Sequence, residues 1–268
     1  MAASNSLERV LSVLQVFSED RLEWTPEEMM AELGYSRPTL YRYLKTLKDA
    51  GLLTSTPNAG FSLGPKIVEM DYLLRKSDAL SLNGQPYIED LAGRYPCTAL
   101  LVRWYGKKIL CVASECSTPD PLSSYPRGRP MPLARGAISR SIMAFLPRRQ
   151  LLPMVKANLD ELSAVGLGDT VEEILDSYRR VRKAGFATAQ GEVTAGVTGF
   201  AAPIFDAGKS PIASICLTIA SAELTPDREI AISRDIARAG AELSNDLSDR
   251  RNALDEDEND TMREREHP

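Results

Sequence analysis

A single glycine constrains this chain most. Thr25-Pro26-Glu27-Glu28 opens a helical pattern with a capping hydroxyl, a proline in the first turn and two acids that suit the helix dipole. The pattern runs through Met29, Met30 and Leu33 and stops at Gly34, a residue that readily takes the left-handed conformation ending many helices. Ser36 then caps another helix almost at once. Two helices joined by so short a glycine turn do not lie side by side as a long hairpin, and the spacing predicts a helix-turn-helix. Upstream, Leu7, Val10, Leu11, Leu14 and Phe17 follow helical spacing over 6–18, with Ser6 placed to cap it. This predicts a first helix with one buried stripe.

The helix expected over 37–50 carries the chemistry. Leu40, Leu44 and Leu47 mark its inward face, and Pro38, Arg42, Lys45, Thr46 and Asp49 fall opposite, flanked by Thr39 and Tyr41. Arg37, Arg42, Lys45 and Lys48 against Asp49 alone make residues 36–50 locally +3. Such donors on an outward face suit phosphate oxygens, and arginine or lysine can also reach guanine edges in a major groove. The candidate DNA-binding residues are therefore Ser36, Arg37, Thr39, Tyr41, Arg42 and Lys45, with Ser36, Thr39 and Tyr41 positioning on phosphates. On an isolated helix the same stripe would read as a solvated face; the preceding tight turn reverses that. Gly51 to Ser55, the turn from Thr56 to Gly60, and Phe61 to Gly64 then read strand, turn, strand, as a wing would.

Charge and composition narrow the remaining classes. The 268 residues hold 32 Lys+Arg and 37 Asp+Glu, net −5, which argues against a general cationic coat. Residues 1–77 carry 9 basic and 10 acidic side chains, while 249–268 carry 4 and 8, so the acidity is mostly terminal. The tail over 251–268, centred on Asp255-Glu256-Asp257-Glu258, reads as disordered. The best apolar run, 210–220, is too short to span a bilayer, and the N-terminus lacks a secretory pattern, so no membrane partner and a cytoplasmic location are expected. The four cysteines form no CxxC pair and suit reduced thiols. The sole histidine, His267, lies in the polar tail, which leaves no Ser-His-Asp or Cys-His pair and no zinc motif. No GxSxG elbow is present, and the run from Gly60 to Lys66 is a poor phosphate loop. The expectation is no enzyme, no cofactor and no metal. A thiol-redox sensor or enzyme using Cys216, Cys111 or Cys116 is the alternative.

The length suggests two domains. Residues 65–79 fit a linker helix whose exposed part could serve as a dimer contact. Beyond it a helix is expected over 85–95, strands over 98–105 and 108–113, helices over 137–145 and 171–183, strands over 186–190, 198–205 and 211–219, and a last helix over 226–250. That order predicts an α+β fold. The expected organisation is a DNA-binding domain over 1–64, a linker over 65–79, a sheet domain over 80–250 and the tail.

Ser6-Leu7-Glu8-Arg9-Val10-Leu11, Ser36-Arg37-Pro38-Thr39-Leu40-Tyr41-Arg42-Tyr43-Leu44-Lys45-Thr46-Leu47 and Phe61-Ser62-Leu63-Gly64 resemble the IclR-type transcriptional regulators. So do Arg127-Gly128-Arg129-Pro130-Met131-Pro132-Leu133, the run from Gly136 to Ala144, and Gly191-Glu192 with Gly196-Val197-Thr198-Gly199-Phe200-Ala201-Ala202-Pro203-Ile204-Phe205. The resemblance runs in order over about 6–247. It implies an N-terminal winged helix-turn-helix joined by a linker helix to a GAF/PAS-like sheet domain. It further implies a dimer or tetramer on a pseudo-palindromic double-stranded DNA operator, and a small organic effector, carboxylate or aromatic. Gly136, Ala137, Gly199, Cys216 and Thr218 match its effector-facing positions, with Ser123, Met131, Gln190 and Glu192 as further candidates. Gly136 stands where the family often has threonine, and Arg127, Arg129 or Arg135 offers another anion partner.

Overall fold

The computed structural model describes residues 6–119, 121 and 125–266, with side chains as far as 249. The chain divides into two compact units, 1–78 and 79–268.

The first unit contains α1 (Ser6–Gln15), α2 (Pro26–Leu33), α3 (Arg37–Asp49), β1 (Leu53–Ser55), β2 (Phe61–Leu63) and α4 (Pro65–Ser77). Thr25 and Glu28 cap α2 reciprocally. The Glu28 N–H donates to Thr25 Oγ1 at 3.3 Å, and the Thr25 N–H donates to Glu28 Oε2 at 2.8 Å. Gly34 (φ 67°) ends α2 by donating its N–H to the Met30 carbonyl at 2.9 Å. The core holds Val13, Trp24, Met29, Leu40, Tyr43, Leu44, Leu47 and Leu53. Each leucine so buried contributes about 1.5–3 kcal/mol relative to exposure. Of the stripe expected on α1, Val10, Leu14 and Phe17 pack against this core, while Leu7 and Leu11 are exposed and Val13, outside the expected stripe, is fully buried. Tyr35, just after α2, contacts both α1 and α3. Its hydroxyl lies 2.8 Å from Ser12 Oγ, its ring meets Tyr43 edge-on at 5.8 Å, and the Arg9 guanidinium sits 4.5 Å from its centre.

β1 and β2 pair antiparallel, Leu53 with Leu63 and Ser55 with Phe61. Gly64 follows, and a Cβ there would lie 2.2 Å from the Gly51 carbonyl oxygen, so only glycine fits. α4 buries no side chain of its own within the described residues.

The second unit opens with α5 (Ala79–Arg94), longer than expected because the helix continues through Pro86. β3 (Thr98–Trp104), β4 (Ile109–Cys116), β5 (Pro130–Met131), β6 (Ala187–Gln190), β7 (Val197–Phe205) and β8 (Pro211–Ala220) form one antiparallel sheet ordered β5-β4-β3-β8-β7-β6. The helices are α6 (Ala137–Met143), α7 (Arg148–Ala157), α8 (Leu159–Ala164), α9 (Val171–Ala184) and α10 (Pro226–Glu266). α7, α8 and the short β5 have no counterpart in the sequence expectations.

Strand alternation sorts the sheet into two faces. Ala213, Ile215, Leu217 and Ile219 of β8 join Ile88 and Leu91 of α5 and Ile232, Ile236 and Leu243 of α10 in one core. Cys216, between them, joins Leu100, Val102 and Ala201 under α6 on the other face. Gly240 lets α10 approach β7, since a Cβ there would lie 2.8 Å from that of Ala202. Asp235 of α10, almost fully buried, accepts from Arg94 Nη1 at 2.5 Å and Tyr95 Oη at 2.7 Å. Around α7, α8 and α9 a third core forms, with Tyr178 at its centre.

The expectation of a disordered stretch over 251–268 differs from the backbone, which stays helical to Glu266. No glycine or proline interrupts 241–266, so nothing local stops a helix already begun on the core. Among the described residues no helix is long and apolar enough to cross a membrane.

Candidate functional site

The outward face of α3 is the first site. Leu40, Tyr43, Leu44 and Leu47 point inward and anchor the helix. Arg37, Tyr41, Arg42 and Lys45 are exposed, and Thr39 is half-buried. The Arg37 guanidinium lies 5.4 Å from the centre of the Tyr41 ring, one turn away, so the two present together. Ser36 occupies the N-cap, but its hydroxyl donates to Thr39 Oγ1 at 3.0 Å rather than accepting a backbone N–H. A bond from Ser6 and the guanidinium groups of Arg42 and Arg9 hold the Tyr43 hydroxyl below its usual range, against the opposing effect of burial. Lys48, by contrast, donates to Ser55 Oγ at 2.9 Å and ties α3 to β1. The wing tip is closed by the Gly60 N–H on Thr56 Oγ1, by the Thr56 hydroxyl on Glu23, and by pairing of Phe61 with Trp24.

The second site lies between α6 and the sheet. Strand register assembles it: Ala189, Gly199, Thr218 and Thr98 stand in one row across β6, β7, β8 and β3, with Ala201, Cys216 and Leu100 in the next. Glycine at 199 leaves space beneath Ala137, whose Cβ lies 3.6 Å from the position a Cβ on Gly199 would take. The resulting cleft, of about 440 Å³ including its open mouth, collects Met131, Gly136, Ala137, Glu192, Gly199, Cys216 and Thr218 from the sequence candidates. Gln190 does not line it. β6 alternates buried and exposed, so Ala189 faces the cleft and Gln190 faces away. Ser123 lies outside the described residues. Spacing did not single out Tyr125, Ala189, Val193 or Val197, although alternation along β6 could have flagged Ala189.

The electrostatics differ from expectation. The N–H at the N-cap of α6, where a ligand anion would otherwise be attracted, already holds the chain's own carboxylate. Glu192 accepts from the Gly136 N–H at 2.9 Å and from Arg140 Nη2 at 2.5 Å, and both side chains are nearly buried. Arg140 also donates to the Thr188 carbonyl at 2.7 Å and the Val165 carbonyl at 3.3 Å, joining α6 to β6 and the end of α8. Gly136 takes φ 88°, and a Cβ there would meet Val193 at 2.8 Å, so threonine does not fit this backbone. Of the three arginines offered as anion partners, Arg135 lines the cleft, while Arg127 donates to the Val112 carbonyl. Arg135 is half exposed and pairs with Glu161 at 3.4 Å.

The cysteines separate by burial. Burial pushes the Cys216 thiol far up, and Cys111 to about 11, where almost no thiolate exists at neutral pH. At Cys116 burial acts in the same direction, but hydrogen bonds involving Thr118 and Thr98 outweigh it and leave the thiol below its ordinary value. The described residues contain no cluster of His, Cys, Asp or Glu that could hold a metal ion.

Comparison with known proteins agrees in both units. The family described as "Bacterial transcriptional regulator IclR C-terminal" matches residues 76–245, and "IclR helix-turn-helix domain" matches 6–57. The chain is 24% identical over 222 residues to the HTH-type transcriptional regulator KipR of Bacillus subtilis, covering 82% of this chain and 88% of that protein. To XynR of Escherichia coli it is 24% identical over 249 residues, covering 92% and 98%. An IclR transcriptional regulator from Silicibacter sp. TM1040 shares the fold with a TM-score of 0.77 at 19% identity, over 91% of this chain and 96% of that one. An IclR homolog from Microbacterium hydrocarbonoxydans, solved in complex with 4-hydroxybenzoate, does so with a TM-score of 0.70 at 20% identity, over 91% and 99%.

Proposed function

The chain belongs to the IclR family of bacterial transcriptional regulators, and on that premise we propose that it reads a specific operator through α3 and answers to a small organic acid bound in the α6 cleft. The observation that carries the reading is the outward face of α3, where Arg37, Tyr41, Arg42 and Lys45 stand exposed behind a buried leucine face. Arg42 and Lys45 read base edges or phosphates; Ser36, Thr39 and Tyr41 position the helix. The protein acts in the cytoplasm as a homo-oligomer, a dimer or a pair of dimers. Val68, Tyr72, Leu73 and Leu74 are exposed on α4, which buries no side chain of its own, and a second copy would cover them. Two copies read a pseudo-palindrome whose half-sites are spaced by helical turns.

The largely apolar walls of the cleft support a small aromatic or aliphatic acid as effector. The 4-hydroxybenzoate held by the Microbacterium homolog is of this class. Gly136, Ala137, Met131, Gly199, Cys216 and Thr218 contact the effector, which shifts an equilibrium between DNA-binding geometries by its differential affinity for them. The test is a thermal-shift screen of small carboxylates and aromatic acids, followed by operator binding with and without the hit. A hit that stabilises the protein and changes operator affinity supports the reading. A protein that binds DNA selectively while ignoring every acid in the screen refutes its sensory half.

A further inference from the structure

We propose that the acidic end of α10 in one copy docks in the groove beside α10 of a second copy and so holds two copies together. This contact is separate from the pairing at α4 and uses different residues.

The end of α10 lies beyond the family match, which stops at 245. Its backbone runs on as helix to Glu266, about 27 Å past Ser248 at about 1.5 Å per residue. Residues 249–268 hold 4 basic and 8 acidic side chains, so this end is strongly anionic. A lone helix of that kind is marginal in water, because most helical stability in proteins comes from packing against a partner.

A groove of opposite charge flanks the preceding turns. Ala237, Ala241, Ser244 and Ser248 of α10 form one side, and Arg182 at the end of α9 and Lys209 of the β7–β8 turn line it with them. Phe145 and Phe205, edge-on at 5.0 Å, make part of its lining apolar. Past Phe145 and Arg182 a second stretch of groove follows between α7 and α9, where Arg148 and Arg179 stand with Leu151 and Leu175. Four cations thus face Asp206 among the described lining residues, and Asp206 accepts the Ser210 N–H at 2.8 Å. Asp176 pairs with Arg179, but Arg149 and Lys183, next in sequence to two of the cations, add exposed charge. On another flank of α10, Asp246 accepts from Tyr87 of α5 at 2.8 Å and does not line the groove. Small side chains and phenyl rings edged by guanidinium groups suit an acidic helix, the geometry in which a helix lies in a groove and arginine anchors the contact.

Connectivity selects a second copy as the source. A helix that continues past Ser248 leaves its own groove behind, because the groove flanks 237–248. Antiparallel pairing of two copies of α10 about a two-fold axis near Ser248 lays each end along the other's groove, and one symmetric contact fills both. The lengths agree. Ala237 to Ser248 spans about 17 Å, and the Asp255-Glu256-Asp257-Glu258 run lies about 10–15 Å past Ser248, within the span of the facing groove.

The test is sedimentation of the full-length protein and three variants at low and high salt. The first variant neutralises the acidic run by Asp255→Asn, Glu256→Gln, Asp257→Asn and Glu258→Gln. The second reverses the groove by Arg148→Glu and Lys209→Asp. Glutamate suits the first turn of α7, and aspartate suits the left-handed backbone at 209 (φ 58°), so neither change unsettles the fold. The third adds Asp255→Lys, Glu256→Lys, Asp257→Lys and Glu258→Lys to the second. The wild-type mass falls by half between roughly 50 and 500 mM salt, as exposed charges are screened. The first two variants already have the halved mass at low salt, and the third regains the full mass. Where α4 also pairs, the step is from four copies to two; a step from two copies to one supports this contact and refutes the pairing at α4. A folded first variant with the wild-type mass at low salt overturns the proposal. So does a third variant that stays at half mass. Tighter operator binding by the first variant with no change in mass also overturns it, and assigns the acidic end to the basic face of α3.

Discussion

Replacing Arg42 and Lys45 together by alanine separates the DNA-reading role of α3 from any structural one. Both side chains are exposed. Arg42 has a ring contact of 5.4 Å with Tyr43, so its loss costs at most about 1 kcal/mol of stability and melting should barely change. If both cations contact phosphates, a dimer loses about four such contacts. At about 0.9 per phosphate, the slope of log affinity against log salt flattens by about 3.6. Between roughly 50 and 200 mM salt the wild type then loses about a hundredfold more affinity than the variant. If Arg42 instead reads a guanine edge, selectivity falls by about 1–3 kcal/mol at that base pair, with a smaller change in slope. Fluorescence anisotropy on a DNA fragment selected by the wild type from a random pool measures both quantities. A folded double variant with wild-type slope and wild-type selectivity would refute the assignment of α3 as the reading helix.

Other consequences concern the frame that holds the two sites. Gly64→Ala places a carbon 2.2 Å from the Gly51 carbonyl oxygen, and the expected cost is about 1–3 kcal/mol with loss of operator binding; wild-type melting and binding would contradict it. Gly199→Ala, with 3.6 Å to Ala137, should leave melting within about 0.5 kcal/mol while narrowing the cleft and weakening effector binding. Cys216→Trp should abolish the response to effector but not DNA binding; an unchanged ligand-dependent operator affinity would remove Cys216 from the site. Asp235 is subject to burial, which raises its pKa, but Tyr95, Arg94, Arg238 and Arg234 outweigh this and hold it below its ordinary 3.8. Because the folded pKa is the lower one, its stabilisation is complete above 3.8 and is lost as pH falls through the folded value. Asp235→Asn should therefore be less stable than wild type at neutral pH, with the gap closing in strong acid; a constant gap in pH-dependent melting would count against this.

Much of the fold was legible because local chemistry and tertiary packing agree. Thr25, Glu28 and Gly34 specify the ends of α2 by capping alone, and Leu40, Leu44 and Leu47 specify the inward face of α3. Alternation along β8 likewise put Cys216 and Thr218 on one side. Phase was harder. Leu7 and Leu11 share the spacing of Val10, Leu14 and Phe17, which pack on the core, yet both are exposed and Val13 is buried instead. Gln190 is the sequence candidate, whereas its neighbour Ala189 faces the cleft, because one residue decides the face on a strand of only four. α7 is hidden in the sequence because Arg148 and Arg149 oppose its dipole and it contains Pro153, and α8 has only six residues. The Glu192–Arg140 pair joins residues 52 apart in sequence, and nothing in either segment announces the other.

β8 has one further implication, for how such a regulator diversifies. Ile215 and Leu217 support the α5–α10 core while Cys216, and beyond it Thr218, floor the cleft, so neighbouring codons serve opposite sides of one ribbon. Inserting or deleting one residue in this strand would exchange the two sets and put Cys216 and Thr218 into the core. Within β8, new ligand preferences must therefore arise by point replacement at alternate positions. Changes in length are confined to the connecting loops, among them 191–196, which carries Glu192.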